Sequence, residues 1–229
     1  MNAIFALVAT ALTLFTAPAF GAGLADLSNK DAAAGLKEAL TTGSQAAVAA
    51  LGTQDGFLGN ERVKIPLPES LHKVEGMMRG LGMGKYADEL VTTMNRAAES
   101  AVVEAKPLLV NAVKNMSVQD AKGILTGGQD AATQYFKRTT SGPLTDKFLP
   151  IVTKATQKVK LADKYNEFAG KGAKFGLVDA KDADLNNYVT RKALDGLFLM
   201  IAEEEKKIRQ DPVGAASGII RKVFGAIGK

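Results

Sequence analysis

Apolar side chains recur at three- and four-residue steps along most of this chain, the spacing that gathers them on one face of an α-helix. Ala33, Leu36, Leu40, Ala47 and Leu51 mark a first face, and Gly35 and Gly43 within it suit the close approach of another helix. Tyr86, Leu90, Met94, Ala97, Ala101, Ala105, Leu108 and Ala112 mark a second. They predict one long helix from Lys85 to Met116, kinked at Pro107, because proline removes an i to i−4 bond and crowds the preceding turn. Leu185, Val189, Ala193, Leu197, Ile201 and Ile208 predict another long helix, with Glu203 and Lys207 spaced to pair on its surface. Between Gly52 and Pro68 the periodicity gives way to glycines, prolines and the alternation RVKIPL. That stretch reads as a loop holding at most one short β-ribbon, with Phe57, Arg62 and Lys64 as a candidate lid. The pattern predicts an all-α fold, a single-domain bundle of kinked long and short helices.

Polar residues punctuate the helices. Ser28 with Asp31, and Ser117 with Asp120, have the spacing of a capping box with Asp in place of Glu. Glu69 to Leu81 predicts a short helix, and GMMRGLGMGKY after it a turn. Asp182-Ala183-Asp184-Leu185-Asn186-Asn187 alternates oxygens as a calcium loop does, but Asn187 stands where glycine is needed and Ala193 where the closing Glu should be. It reads instead as a helix N-cap. Asp211-Pro212 opens a final helix with Val213, Ala216, Ile220, Val223, Phe224 and Ile227 on its apolar side.

The stretch from Thr126 to Val152 packs turn signals, aromatics and basic residues most densely. Gly127-Gly128 ends one helix, and Gln129-Asp130 starts another that carries Tyr135 and Phe136 one turn after Ala131 and Ala132. Thr139-Thr140-Ser141-Gly142-Pro143 breaks the pattern before Leu144, Phe148, Ile151, Ala155 and Val159 resume it, so two helices are expected to meet at a polar corner. Asp130, Tyr135, Lys137 and Arg138 are the candidate ligand-binding residues, the last three on the rim of a groove at that corner. A packed junction without a ligand is the plainer alternative.

The first residues, MNAIFALVATALTLFTAPAFGAG, carry no charged side chain, hold an apolar run from Ala3 to Phe15 and finish in small residues. This is the pattern of a signal peptide over residues 1–21, cleaved near 19–23 and followed by a helical domain over 22–229. The apolar run is shorter than the roughly 20 residues that span a bilayer. The expected location is therefore outside the cytoplasm, in a periplasm. No cysteine is present, so no disulfide holds the fold.

Charge changes the picture further. Residues 22–120 hold ten basic and twelve acidic side chains, whereas 121–229 hold nineteen and twelve. A basic C-terminal half points to an anionic partner, and Arg221, Lys222 and Phe224 on the final amphipathic helix are candidate membrane-surface residues. Basic residues mixed with aromatics over 137–174 would also suit single-stranded nucleic acid, but export disfavours that partner, and the aromatics fall at core spacing.

The run GGQDAATQYFKRTTSGPL, with FLPIVTKAT after it, YNEFAGKGAKFGLV further on and ALDGLFLMIAEEEKKIRQDPVGAASG near the end, resembles a secreted bacterial family, domain-of-unknown-function 4197. The likeness runs from about Leu27 to Phe224. It implies a helical, exported protein and brings no activity, cofactor or catalytic residue with it.

No catalytic motif survives inspection. His72 is the single histidine, and Glu69, His72 and Glu75 form only one of the two Glu-x-x-His units that a dimetal bundle needs, so no metal site is expected. GMMRGLGMGKY lacks the first glycine and the hydroxyl of a phosphate loop, and no strand precedes AGKGAKFG to make a dinucleotide turn. No cofactor is expected. The sequence therefore reads as a non-catalytic binding protein for an anionic or lipid-like ligand or an envelope membrane surface. An envelope structural or protein-interaction module is the first alternative, and an enzyme working on Asp and Glu alone the second.

Overall fold

A computed structural model describes residues 29–174, 179–211 and 223. The described chain is all-α: α1 spans Asn29–Leu51, α2 His72–Gly80, α3 Gly84–Val102, α4 Ala105–Lys114, α5 Val118–Thr126, α6 Ala131–Thr156, α7 Lys160–Lys174 and α8 Leu185–Gln210. Single 3₁₀ turns at Glu69–Leu71 and Ala180–Asp182 lead into α2 and α8. The 52–68 stretch contains no strand, so the β-ribbon allowed for it does not form. Helix α6 lies at the centre against α8 and α3, while α1 packs on α8 and α4. At Gly43 a methyl group would meet Ile208 Cδ1 at 3.4 Å, an ordinary contact, so the packing of α1 on α8 there does not depend on the missing side chain.

Helix α6 runs unbroken through the expected corner. Ala132, Phe136, Thr140, Leu144, Phe148, Val152 and Thr156 form one buried row at four-residue steps. Each step overshoots a full turn by about 40°, so the row winds diagonally and meets different partners along its length. Its N-terminal end faces α4, α5 and the end of α8; its last residue, Thr156, reaches Asn186 at the start of α8. Pro143 and Pro150 both lie on the exposed face, and the carbonyls they free, on Thr139 and Asp146, also belong to exposed residues. Two interior prolines cost about 3 kcal/mol each. Burying Phe136, Leu144, Phe148 and Val152 completely returns about 1.5–3 kcal/mol each, enough to keep the helix whole. The hydroxyls that look like a corner are absorbed locally: Thr139, Thr140 and Ser141 donate to the carbonyls of Tyr135, Phe136 and Lys137 at 2.8, 2.7 and 2.6 Å.

The long helix expected over Lys85–Met116 is instead two. Its ladder stops at Val102 and restarts at Ala105, which places Pro107 in the first turn of α4, where its missing N–H would have had no partner in the helix. A break costs less here than a kink. Ser117 and Asp120 do form a reciprocal capping box on α5, and Asp184 caps α8 by accepting from Asn187 N at 2.9 Å. Lys207 pairs with Glu204 at 2.6 Å rather than with Glu203, because Glu203 takes Arg62 at 2.8 Å.

That last pair belongs to a set that ties the 52–68 loop down. Asn95 and Glu99, one turn apart on α3, face the loop. Asn95 exchanges two hydrogen bonds with Ile65, at 2.8 and 2.9 Å, and Glu99 accepts from Phe57 N and Leu58 N at 3.1 and 3.2 Å. Tyr188 donates to Pro66 O at 3.0 Å. Phe57 is fully buried against Gly196 of α8, so this residue plugs the core and does not serve as a lid.

Candidate functional site

The four residues singled out around the start of α6 do not gather. Tyr135 is buried, its hydroxyl donating 2.7 Å to Ala112 O, and burial pushes its phenol above the usual tyrosine range. It is a pillar between α6 and α4. Arg138 is exposed, pairs with Asp120 at 3.0 Å and lies 5.6 Å from the Tyr135 ring, while Lys137, about 100° further round the helix, lies 5.9 Å from the Phe198 ring on α8. Asp130 is exposed and holds Gln134 at 2.9 Å. Continuity of α6 removes the corner on which the rim depended. Arg221, Lys222 and Phe224 lie outside the described residues; beside them, Val223 is helical and fully buried.

Asp130 occupies the N-cap position of α6 but makes no capping bond with its side chain. The cap comes from Glu205, more than 70 residues on. Its buried carboxylate accepts from Ala132 N at 3.0 Å, Thr133 N at 2.9 Å and the Thr133 hydroxyl at 2.8 Å, and Arg209 holds it at 2.9 Å while also donating to Ile124 O at 3.0 Å. An anion at a helix N-terminus is favoured by free N–H groups and by the helix dipole. Here the chain supplies that anion itself, so the position is closed to an outside ligand.

An open space exists elsewhere. A cleft of about 370 Å³ lies between the 52–68 loop, α2 and the start of α3. Leu58, Pro66, Leu67 and Val91 give it an apolar floor, and Lys64, His72, Glu75, Arg79 and Asp88 give it charge of both signs. His72, Glu75 and Arg79 reach it because steps of three and four residues put them on one face of α2. Arg79 bridges Asp88 at 2.6 Å and Glu75 at 2.8 Å; these bonds hold its guanidinium more firmly protonated and keep the Asp88 carboxyl below the usual range. His72 Nε2 lies 3.2 Å from Leu67 O. A carbonyl can only accept, so Nε2 carries the proton and a neutral ring leaves Nδ1 as an acceptor. Among the described residues no group of His, Asp and Glu could hold a metal ion.

Beyond this cleft the α2–α3 hairpin ends in an apolar tip. Met77, Leu81, Met83 and Tyr86 are 69%, 74%, 43% and 42% exposed, which makes them four of the seven large hydrophobic residues that stand in solvent among those described. Gly82 turns the chain there at a φ of 73°, a left-handed conformation that glycine adopts without penalty. Lys85 Nζ lies 5.1 Å from the Tyr86 ring. The sequence signal was present in GMMRGLGMGKY, whose apolar residues have no polar alternation to hide them.

The family described as Protein of unknown function (DUF4197) matches residues 26–225. No curated protein and no solved structure matches the chain.

Proposed function

Because the chain belongs to the DUF4197 family, whose description carries no activity, we propose from its geometry that it is an exported, non-catalytic binding protein that docks on an anionic membrane surface through the α2–α3 tip. The observation that carries this reading is the exposure of Met77, Leu81, Met83 and Tyr86 within one short stretch around the α2–α3 turn, where four large apolar side chains forgo burial against the bundle. No described helix is long and apolar enough to cross a membrane, so the contact is interfacial. Partial insertion of four such side chains supplies on the order of 6 kcal/mol, and Lys85 about 1 kcal/mol at an anionic surface. The total corresponds to micromolar-range binding. A periplasmic location fits this reading, with Arg221, Lys222 and Phe224 as a second contact. The shifted carboxylates Asp88, Asp120, Asp179 and Glu203 are all pushed down by their hydrogen-bond partners, the direction of structural pairing, which lends the carboxylate-enzyme reading no support.

Flotation with vesicles of phosphatidylglycerol and phosphatidylcholine tests the proposal. The protein is expected to float with phosphatidylglycerol-rich vesicles, less so at high salt, and a Leu81→Asp, Met83→Asp chain to lose at least tenfold in bound fraction. If the unmodified protein ignores every vesicle, the tip belongs to a protein partner in the envelope. Flotation unchanged by the double substitution would place the membrane contact elsewhere.

A further inference from the structure

The cleft behind the tip has a chemistry of its own. A purely anionic ligand would meet Glu75 and Asp88, and a purely cationic one would meet Lys64 and Arg79. A ligand carrying both charges on an apolar body satisfies the whole lining. We propose that this cleft binds an amine-bearing phosphate ester, the chemistry of a phosphoethanolamine headgroup, with its ammonium toward Glu75, Asp88 and His72 Nδ1 and its phosphate toward Lys64 and Arg79. Lys64 is free to turn, since its pair with Glu61 is 3.3 Å long and Glu61 is largely exposed. Arg79 is a single cation between two carboxylates, so Glu75, Arg79 and Asp88 together keep a net negative charge for an ammonium. Leu58, Leu67 and Val91 receive the carbon chain next to the phosphate. About 370 Å³ is within the range of small-molecule sites. The site is separate from the docking tip: Glu75 and Arg79 face the cleft, whereas Met77 lies about 200° round the helix from Glu75.

The same chemistry could arrive as a lipid headgroup or as a free aminophosphate. Titration of the ¹⁵N-labelled protein, followed by amide NMR, separates the two. The probes are dihexanoyl-phosphatidylethanolamine below its micelle concentration, O-phosphoethanolamine and dihexanoyl-phosphatidylglycerol. The ethanolamine lipid is expected to give saturable shifts at Leu67, His72, Glu75 and Val91, with the glycerol lipid at least tenfold weaker. Lys64→Gln and Asp88→Asn are each expected to weaken binding fivefold or more; both side chains are on the surface, and the amide spectrum itself reports whether the fold is kept. O-phosphoethanolamine binding as tightly as the lipid assigns a free aminophosphate, and tenfold weaker binding assigns the lipid. The Leu81→Asp, Met83→Asp chain retains these shifts, so loss of vesicle docking and loss of the cleft are told apart. No saturable shift with either amine compound overturns the proposal, as do equal binding of the glycerol lipid and indifference to both substitutions.

Discussion

Glu205 shows how one residue can hold two distant parts of the chain. Its carboxylate satisfies three donors at the start of α6 and one guanidinium, all away from solvent. Glu205→Ala leaves Arg209 facing an emptied, buried position and strips the cap from α6. The expected loss is about 3–5 kcal/mol in a denaturant titration, with faster amide exchange at Ala132 and Thr133. Gly196 is constrained in the opposite sense, by lack of room. A methyl group there would lie 2.7 Å from Phe57 Cε1 and 3.3 Å from Val63 Cβ, and Phe57 is fully buried with no open space to swing into. Gly196→Ala is expected to destabilise the protein by about 1–3 kcal/mol, the range for overfilling a packed core. A loss below about 0.5 kcal/mol would mean that the 52–68 loop is not seated on α8 as described.

At the scale of elements the decisive case is α6, where burial overrides local chemistry. If the helix is held straight through its prolines by the buried row, Pro143→Ala restores a backbone donor and relieves crowding without touching the core. The expected change is a gain of about 1–3 kcal/mol in unfolding free energy, read by urea titration. Destabilisation of more than about 1 kcal/mol would show that the packing requires a bend at Pro143. The same helix shows what could be read from sequence and what could not. Stripes such as Leu36–Leu40–Ala47–Leu51 and Leu185–Val189–Ala193–Leu197, and the caps at Ser117 and Asp184, were legible because they depend on neighbours within one or two turns. The Glu205 cap was not, because its partners lie more than 70 positions away, nor was the 52–68 loop's anchorage on Asn95 and Glu99. Thr139 to Pro143 misled because each residue has a strong turn tendency, while the cost of obeying it, measured in exposed Phe136, Leu144 and Phe148, is set only in the assembled bundle. The groove rim expected at Tyr135, Lys137 and Arg138 rests on a corner there, whereas Tyr135 is buried in a continuous helix; Met77, Leu81 and Met83 stand exposed in a run that reads in sequence as a plain turn.

Across the whole molecule, three of the four tyrosines act as rivets between elements far apart in sequence. Tyr135 joins α6 to α4 through Ala112 O, Tyr165 joins α7 to Asp182 O and to Ser70, and Tyr188 joins α8 to Pro66 O. Burial raises all three phenols, that of Tyr188 to about 12. An unfolded tyrosine titrates near pH 10. Between these values the unfolded chain has given up a proton that the native chain keeps, so the native state binds more protons and stability falls as pH rises. The stabilisation is complete below about pH 10 and disappears as pH climbs through the folded values. Lysines also titrate in this range, so the test needs a chain that lacks one rivet. Tyr188→Phe is expected to be about 1 kcal/mol less stable at pH 7, where it loses the bond to Pro66 O. Because that chain no longer carries a displaced phenol, the gap should close by about pH 11 and change sign above it. Urea titrations of both chains at pH 7, 9 and 11, with phenolate absorbance at 295 nm, measure this directly. A gap that stays constant to pH 11.5 would mean that Tyr188 titrates alike in the folded and unfolded chains, and that its hydroxyl is not fixed between α8 and the loop.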